Sequence, residues 1–115
     1  MSDNKLAQAT LQQLKEKVQK NESLNPDNKT ELLNLLTSLD SEITELSKSK
    51  AEHAENIVGH IERSTHEALK DEKDPPLLKK TLEGLSDSVK GFEVSHPVLV
   101  EDVNYWATVL ANMGL

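Results

Sequence analysis

The stretch GFEVSHPVLVEDVNYWATVLANMGL, residues 91–115, contains all three aromatic residues of the chain and no Lys or Arg. Steps of four and three residues place one apolar stripe on a helix over residues 97–113. The stripe consists of Leu99, Val103, Trp106, Leu110 and Met113. Further apolar residues widen it until only a narrow polar strip remains. Because a helix that is apolar nearly all round packs on several sides, the sequence predicts that this is the central and most buried helix.

A turn is predicted directly before this helix. A residue that precedes proline is disfavoured in helical geometry, so His96 or Ser95 is expected to cap a new helix that begins at Pro97. Gly114 lies where a left-handed C-cap would end that helix. His96 could instead be a pH-sensitive or partner-contacting residue. We favour the role of cap and turn former, because it requires only local geometry.

Heptad spacing predicts three further helices, over residues 4–20, 26–47 and 77–94. Asn25 is placed to cap the second of them, and Pro26 fits its first turn. The stripes consist of Ala7, Leu11, Leu14 and Val18 in the first, Leu32, Leu36, Leu39, Ile43 and Leu46 in the second, and Leu78, Leu82, Leu85, Val89 and Phe92 in the third. Each stripe gives its helix one face to bury.

The middle of the chain is less regular. Over residues 50–72 the stripe shifts to Ala54, Val58 and Ile61, a change of phase that is typical of a stutter or a short break in a long helix. A helix is predicted there, but the pattern leaves open whether it continues the second helix or folds back on it. Pro75 and Pro76 end it, because two prolines cannot continue a helix.

Together these patterns predict an all-α protein, with residues 1–115 forming a single helical domain. Four to five helices would be joined as antiparallel hairpins in a small, coiled-coil-like bundle, and helices 77–94 and 97–113 would form the last hairpin. A chain of 115 residues can bury enough surface to be stable without metal or disulfide staples.

Composition excludes several classes of function. The net charge is -7, and the cations are twelve Lys and the single Arg63, without a basic run, so nucleic acid is not an expected partner. No apolar run approaches the roughly 18 residues of a membrane-spanning helix, and the expected location is the cytoplasm. The absence of cysteine excludes disulfides and thiol chemistry.

No catalytic residue and no cofactor site is predicted. The chain has no phosphate-cradling glycine loop and no nucleophile elbow, so we do not expect an enzyme. His53, His60 and Glu67 follow at intervals of seven residues and so share one side of a helix. Metal sites in helical bundles pair Glu-x-x-His motifs from facing helices, and these motifs are lacking here. A polar flank is therefore the favoured interpretation, and a small-ligand or metal-binding bundle is the alternative.

Protein–protein interaction is the favoured function. Apolar stripes with heptad spacing bury surface against partner helices, and a chain this short is not expected to cover all of them by itself. We therefore predict a protein–protein interaction or self-assembly module that binds another protein or itself, the latter as a homodimer. The seam residues expected to carry the contact are Leu36, Ile43, Leu82, Val89, Phe92 and Trp106.

The closing stretch resembles the C-terminal signature of a bacterial family known as domain of unknown function 4404. The matching positions are Phe92, Glu93, His96, Pro97, Leu99, Leu110, Asn112, Met113, Gly114 and Leu115. Residues 4–46 also resemble the family's first helices. Residues 47–76 differ from the family pattern, in which the link at this point is shorter. The resemblance implies an all-α cytoplasmic bacterial protein with no established activity, and it offers no catalytic residue to carry over.

Overall fold

The computed structural model describes residues 2–114, with side chains described from Ala7 onward, so Leu115 of the signature lies outside it. The described residues form five helices and no strand, which confirms the predicted all-α class. The helices are α1 (Ser2–Lys20), α2 (Pro26–Ser47), α3 (Ala51–Ala68), α4 (Pro75–Ser88) and α5 (Pro97–Gly114). The expected cap of α2 is present, since Asn25 Oδ1 accepts a hydrogen bond from the Asp27 amide at 2.8 Å.

Two predicted helices have different bounds in the structure. The third was expected over 50–72 but ends at Ala68. The fourth was expected over 77–94 but begins at Pro75, because both prolines fit its first turn and the Asp74 carboxylate accepts from the Leu77 amide at 3.2 Å. It ends at Ser88, and Gly91 follows with φ of 97°, a conformation that a helix cannot contain.

The middle of the chain folds back on α2. Gln8 contacts Thr44, so the start of α1 lies beside the end of α2, and the end of α1 reaches the end of α3 through Lys17 and His66. The ends of α2 and α3 therefore lie at opposite ends of the molecule, and the two helices run antiparallel. The same reasoning from cross-helix contacts makes each helix antiparallel to the next one in the chain.

α3 is the centre of this bundle. It contacts all four other helices, which surround it in the order α1, α2, α5, α4. Within the described part of the chain, α1 and α4 do not contact each other, so the ring around α3 is open on one side. The expectation that α5 is the central helix is wrong: its flanks expose Val98 and Tyr105, and its neighbours are α2, α3 and α4.

Small side chains allow four helices to approach α3. Ala54, Ser64, Thr65 and Ala68 are all buried there. The two hydroxyl groups donate to the Ile61 carbonyl at 2.9 and 2.7 Å, so their burial leaves no donor unpaired. A sequence prediction based on apolar residues alone ranks such a helix below α5, which has the same length but is more apolar.

Candidate interaction surfaces

The predicted seam residues lie in the core of the single chain. Leu36, Ile43, Leu82, Val89, Phe92 and Trp106 are all buried, the most exposed at 8%. Trp106 is fully covered, and its indole N–H points to the Ser64 hydroxyl at 3.4 Å. In this conformation all six side chains belong to the core of the chain and are not accessible to a partner.

The three candidate metal ligands face different neighbours. The His53 ring packs against the edge of Phe92 with a centroid separation of 5.5 Å. His60 lies against Gly84 and accepts a hydrogen bond from Arg63 at 3.2 Å, while Glu67 forms an ion pair with Lys70 at 2.8 Å. Among the described residues, no three His, Asp or Glu side chains come together in a way that could hold a metal ion.

The signature residues before α5 form a tight turn. Phe92 is buried, and the imidazole rings of His53 and His96 both pack against its ring, with centroids 5.5 and 6.0 Å away. The Glu93 carboxylate accepts from the Gly91 amide at 2.8 Å, and the His96 amide donates to the Phe92 carbonyl at 2.8 Å. These contacts fix the direction in which the chain enters α5.

The other end of the signature is fixed by close packing. Gly114 belongs to the last turn of α5, where a left-handed cap was expected. Its backbone passes so close to Leu78 that a methyl group on Gly114 would overlap the Leu78 Cδ2 atom. Glycine thus suits this position because α4 and α5 approach closely here, and a larger residue would require the Leu78 side chain to shift.

The negative charge of the chain is concentrated on one pair of helices. Residues 31–47 contain four acidic residues and residues 91–114 contain three, and neither stretch contains Lys or Arg. In the remainder of the sequence thirteen acidic residues balance thirteen basic ones, so these two stretches account for the whole net charge of -7. They correspond to α2 and α5 with the turn before it, and the two helices pack against each other.

Two polar contacts join the outer edges of α2 and α5. The Tyr105 hydroxyl donates to the Glu31 carboxylate at 2.8 Å, and the Ser38 hydroxyl donates to the Asp102 carboxylate. The hydrogen bond to Glu31 and that residue's charge raise the pKa of the Tyr105 phenol, because both stabilise the protonated form.

Exposed apolar surface lies among these carboxylates. Val98 and Tyr105 are 46% and 49% exposed, and they share a flank of α5 because they lie seven residues apart. On α2, helical spacing puts Glu42 and Glu45 on the same side as Glu31 and Ser38. We call this surface the acidic face; it consists of Glu31, Ser38, Glu42, Glu45, Val98, Glu101, Asp102 and Tyr105. The sequence-based predictions did not include this surface, although the lack of Lys and Arg over residues 31–47 and 91–114 was a visible signal.

The opposite side of the molecule carries a groove. It runs along α3 between α1 and the start of α4, where the ring of helices is open. One section, about 520 Å³ in volume, lies between Lys17, Arg63 and Leu77, and the next, about 270 Å³, lies over Gly59 and Val58. Glu62 belongs to both sections, so they are continuous.

None of the helices in the described part of the chain is long and apolar enough to cross a membrane. A family model with the description Domain of unknown function (DUF4404) matches residues 34–115. The match includes residues 47–76, which the sequence analysis had set apart, and leaves out α1 and the first turns of α2. No curated protein and no solved structure gives a significant match to the chain.

Proposed function

The chain belongs to the DUF4404 family, a domain of unknown function, and we propose that it is a non-catalytic interaction module that binds a positively charged protein segment on its acidic face. The observation that carries this proposal is the separation of charge: residues 31–47 and 91–114, which form most of α2, the turn before α5 and α5 itself, carry the whole net charge, whereas the rest of the chain is balanced. Uneven fields of this kind steer a partner of opposite charge and favour its correct orientation.

The exposed side chains on the acidic face suit a helical partner. Val98 and Tyr105 offer apolar contact area next to the Glu31 and Glu101 carboxylates. Tyrosine is among the residues enriched in protein interfaces, because its ring packs and its hydroxyl forms hydrogen bonds. An amphipathic segment with a narrow apolar stripe and flanking Lys or Arg residues would match both properties of this surface.

This proposal replaces the heptad seams as the site of contact. The seam residues are buried within the chain, so a partner that used them would have to open the bundle first. The acidic face needs no such opening, because its side chains are already at the surface. Both the binding site and the charge of the partner are therefore inferred from surface residues of the folded molecule.

The test uses a synthetic Lys- and Arg-rich amphipathic peptide, with binding measured by calorimetry and mapped by amide chemical-shift changes. We expect the shifts to fall on α2 and α5, and the affinity to decrease with added salt, because screening weakens contacts between exposed charges. Glu101→Lys should weaken binding by about three- to tenfold, since a surface charge contact contributes up to about 1 kcal/mol and its reversal adds repulsion.

A matched variant distinguishes binding at the acidic face from an effect of net charge alone. Glu83→Lys makes the same change on the outside of α4, away from the acidic face. It should leave the affinity within about twofold of the parent protein, the range expected from the weak long-range effect of one exposed charge. If both variants weaken binding equally, only the net charge matters and the acidic face is not the docking surface.

A further inference from the structure

The exposed apolar side chains of the molecule are concentrated on one short stretch. Of the four large ones in the described part of the chain, Val94, Val98 and Tyr105 are 95%, 46% and 49% exposed, and only Leu77 lies elsewhere, on α4. Val98 and Tyr105 belong to the acidic face. Val94 lies in the turn before α5, and its side chain makes almost no contact within the chain.

The turn that carries Val94 is held in place by the residues around it. The Gly91 amide donates to the Glu93 carboxylate at 2.8 Å. The His96 amide donates to the carbonyl of Phe92, also at 2.8 Å, and the Phe92 side chain is buried in the core. The fold therefore fixes the exposure of Val94. Because a residue that is already fixed loses little conformational entropy when a partner covers it, Val94 is suited to anchor an interface.

Val94 extends the apolar part of the acidic face beyond α5. It precedes Val98 by four residues, and the hydrogen bond from His96 to Phe92 has the spacing of a helical turn, so Val94 lies about 6 Å before Val98 along the direction of α5. Tyr105 lies about 10 Å further along the helix. We call Val94, Val98 and Tyr105 the apolar line. It is about 16 Å long, a length that a partner helix of about 11 residues would span.

Negative charge borders the apolar line. Glu93 is next to Val94 in the chain, and Glu31 accepts the hydrogen bond of the Tyr105 hydroxyl at the other end. Residues 91–114 contain no Lys or Arg. A segment that covers the line therefore needs apolar side chains along its centre and positive charges on its sides.

A second copy of this chain does not fit that description. Residues 31–47 and 91–114 carry the whole net charge of -7, so two such surfaces repel each other when they are brought together. A basic segment has the opposite charge and is attracted to the same surface. Charge thus favours a basic partner over self-association at the apolar line.

We propose that Val94 is the apolar anchor of the basic segment, and that this segment lies along α5 from the turn at residues 91–96 to Tyr105. This inference rests on the proposed function, because it takes the same class of partner. It adds to that function a contact residue outside both helices and the line along which the partner lies. The carboxylates attract and orient the segment, and the apolar line holds it.

The test uses two synthetic Lys- and Arg-rich amphipathic peptides, one with a leucine stripe and one in which glutamine replaces each leucine. Val94→Ser should weaken binding of the leucine peptide, measured by calorimetry, by about three- to tenfold, the range expected when most of the burial of one Val side chain is lost. Binding of the glutamine peptide should stay within about twofold, because that peptide has no apolar stripe to contact Val94. Helicity and Trp106 emission should not change, since Val94 is almost entirely in solvent.

Leu77→Ser is the matched control, because it removes an exposed apolar side chain from α4, away from the acidic face. It should not change the affinity for either peptide. Added salt should weaken binding by the parent chain and by Val94→Ser in parallel, since salt screens the charges and not the apolar contact.

An unchanged affinity of Val94→Ser for the leucine peptide would overturn the anchor, and the acidic face would still stand if Glu101→Lys weakened binding. Equal weakening for both peptides would also overturn it, because the substitution would then act through the turn and not through apolar contact. A parent chain that binds neither peptide would refute the proposed function itself, and with it the anchor.

Discussion

At the residue scale, Tyr105 links the acidic face to a measurable property. Its hydroxyl is held by Glu31, and this contact raises the pKa of the phenol above its ordinary value of 10.0. The stabilisation from this contact is fully present below pH 10.0 and is lost as the pH rises through the raised pKa, where the phenolate and the carboxylate repel each other.

We predict that the phenol of Tyr105 titrates above pH 10.0 in the folded protein. Because it is the only tyrosine in the chain, the ultraviolet absorbance of phenolate reports it without ambiguity. Glu31→Gln should lower the midpoint toward 10.0, whereas Glu42→Gln, on the same helix, should leave it within about 0.2 units because a more distant exposed charge is screened. An unchanged midpoint in Glu31→Gln would mean that the contact does not persist in solution.

The pKa of His60 is shifted in the opposite direction to that of Tyr105. Partial burial, and next the positive charge of Arg63, lower the pKa of His60 below 6.5. The stability that this residue contributes is present above pH 6.5 and is lost as the pH falls through the lowered pKa, because protonation of His60 is less favourable in the folded state than in the unfolded state.

Proton NMR of the His60 ring should therefore show a midpoint below 6.5. Arg63→Met removes the neighbouring charge and should raise the pKa of His60, leaving only the effect of burial. Arg63→Lys keeps the charge and should preserve most of the shift. A midpoint that does not respond to Arg63→Met would contradict the proposed cause.

At the scale of the helices, sequence patterns predicted all five elements, because stripes at helical spacing and proline positions are local signals. They did not predict where α4 ends. The stripe continues through Val89 and Phe92, so periodicity alone extends the helix beyond Ser88. The turn depends on the positive φ of Gly91 and on the packing of His53 and His96 against Phe92. The contact of His53 with Phe92 joins residues far apart in the chain.

The Gly91 turn gives a prediction for stability. Gly91→Ala should lower the free energy of unfolding by about 1–2 kcal/mol, because residues with a Cβ atom are disfavoured at positive φ. Urea denaturation followed by circular dichroism measures the change. Lys90→Ala is the neighbouring control, since its ion pair with Asp87 is exposed and should contribute at most about 1 kcal/mol.

The main wrong prediction was that α5, and not α3, is the central helix, and this error has a physical cause. Hydrophobicity favours α5 as the centre, but the residue size needed for four neighbours favours α3 with its buried Ala54, Ser64 and Ala68. The acidic face and the groove were missed for a related reason. Both depend on which helices become neighbours, and that is decided by long-range packing of α2 with α5 and of α1 with α3.

Overpacking tests the central position of α3. Ala68→Leu should destabilise the protein by about 1–3 kcal/mol, because Ala68 is fully covered and the extra volume must displace neighbouring helices. Ala111→Leu, at a half-buried position of α5, should change stability by less than about 1 kcal/mol because part of the side chain can remain in solvent. Equal effects in thermal unfolding would contradict the central role of α3.

At the scale of the whole molecule, the two surfaces lie on opposite sides and differ in charge. α2 and α5, with the turn before α5, carry the net negative charge and the exposed tyrosine, while α1, α3 and α4 form the groove.

The open ring also sets a hierarchy of local stability. α1 lies at one edge of the gap. Within the described part of the chain it contacts only α2 and α3, and its buried side chains there are Ala7, Leu11, Leu14 and Val18. α3 contacts every other helix, so most of its amides should become accessible only when the bundle as a whole comes apart. In native-state hydrogen exchange, α1 should therefore exchange through a low-energy opening of its own, while α3 exchanges at the limit set by global unfolding.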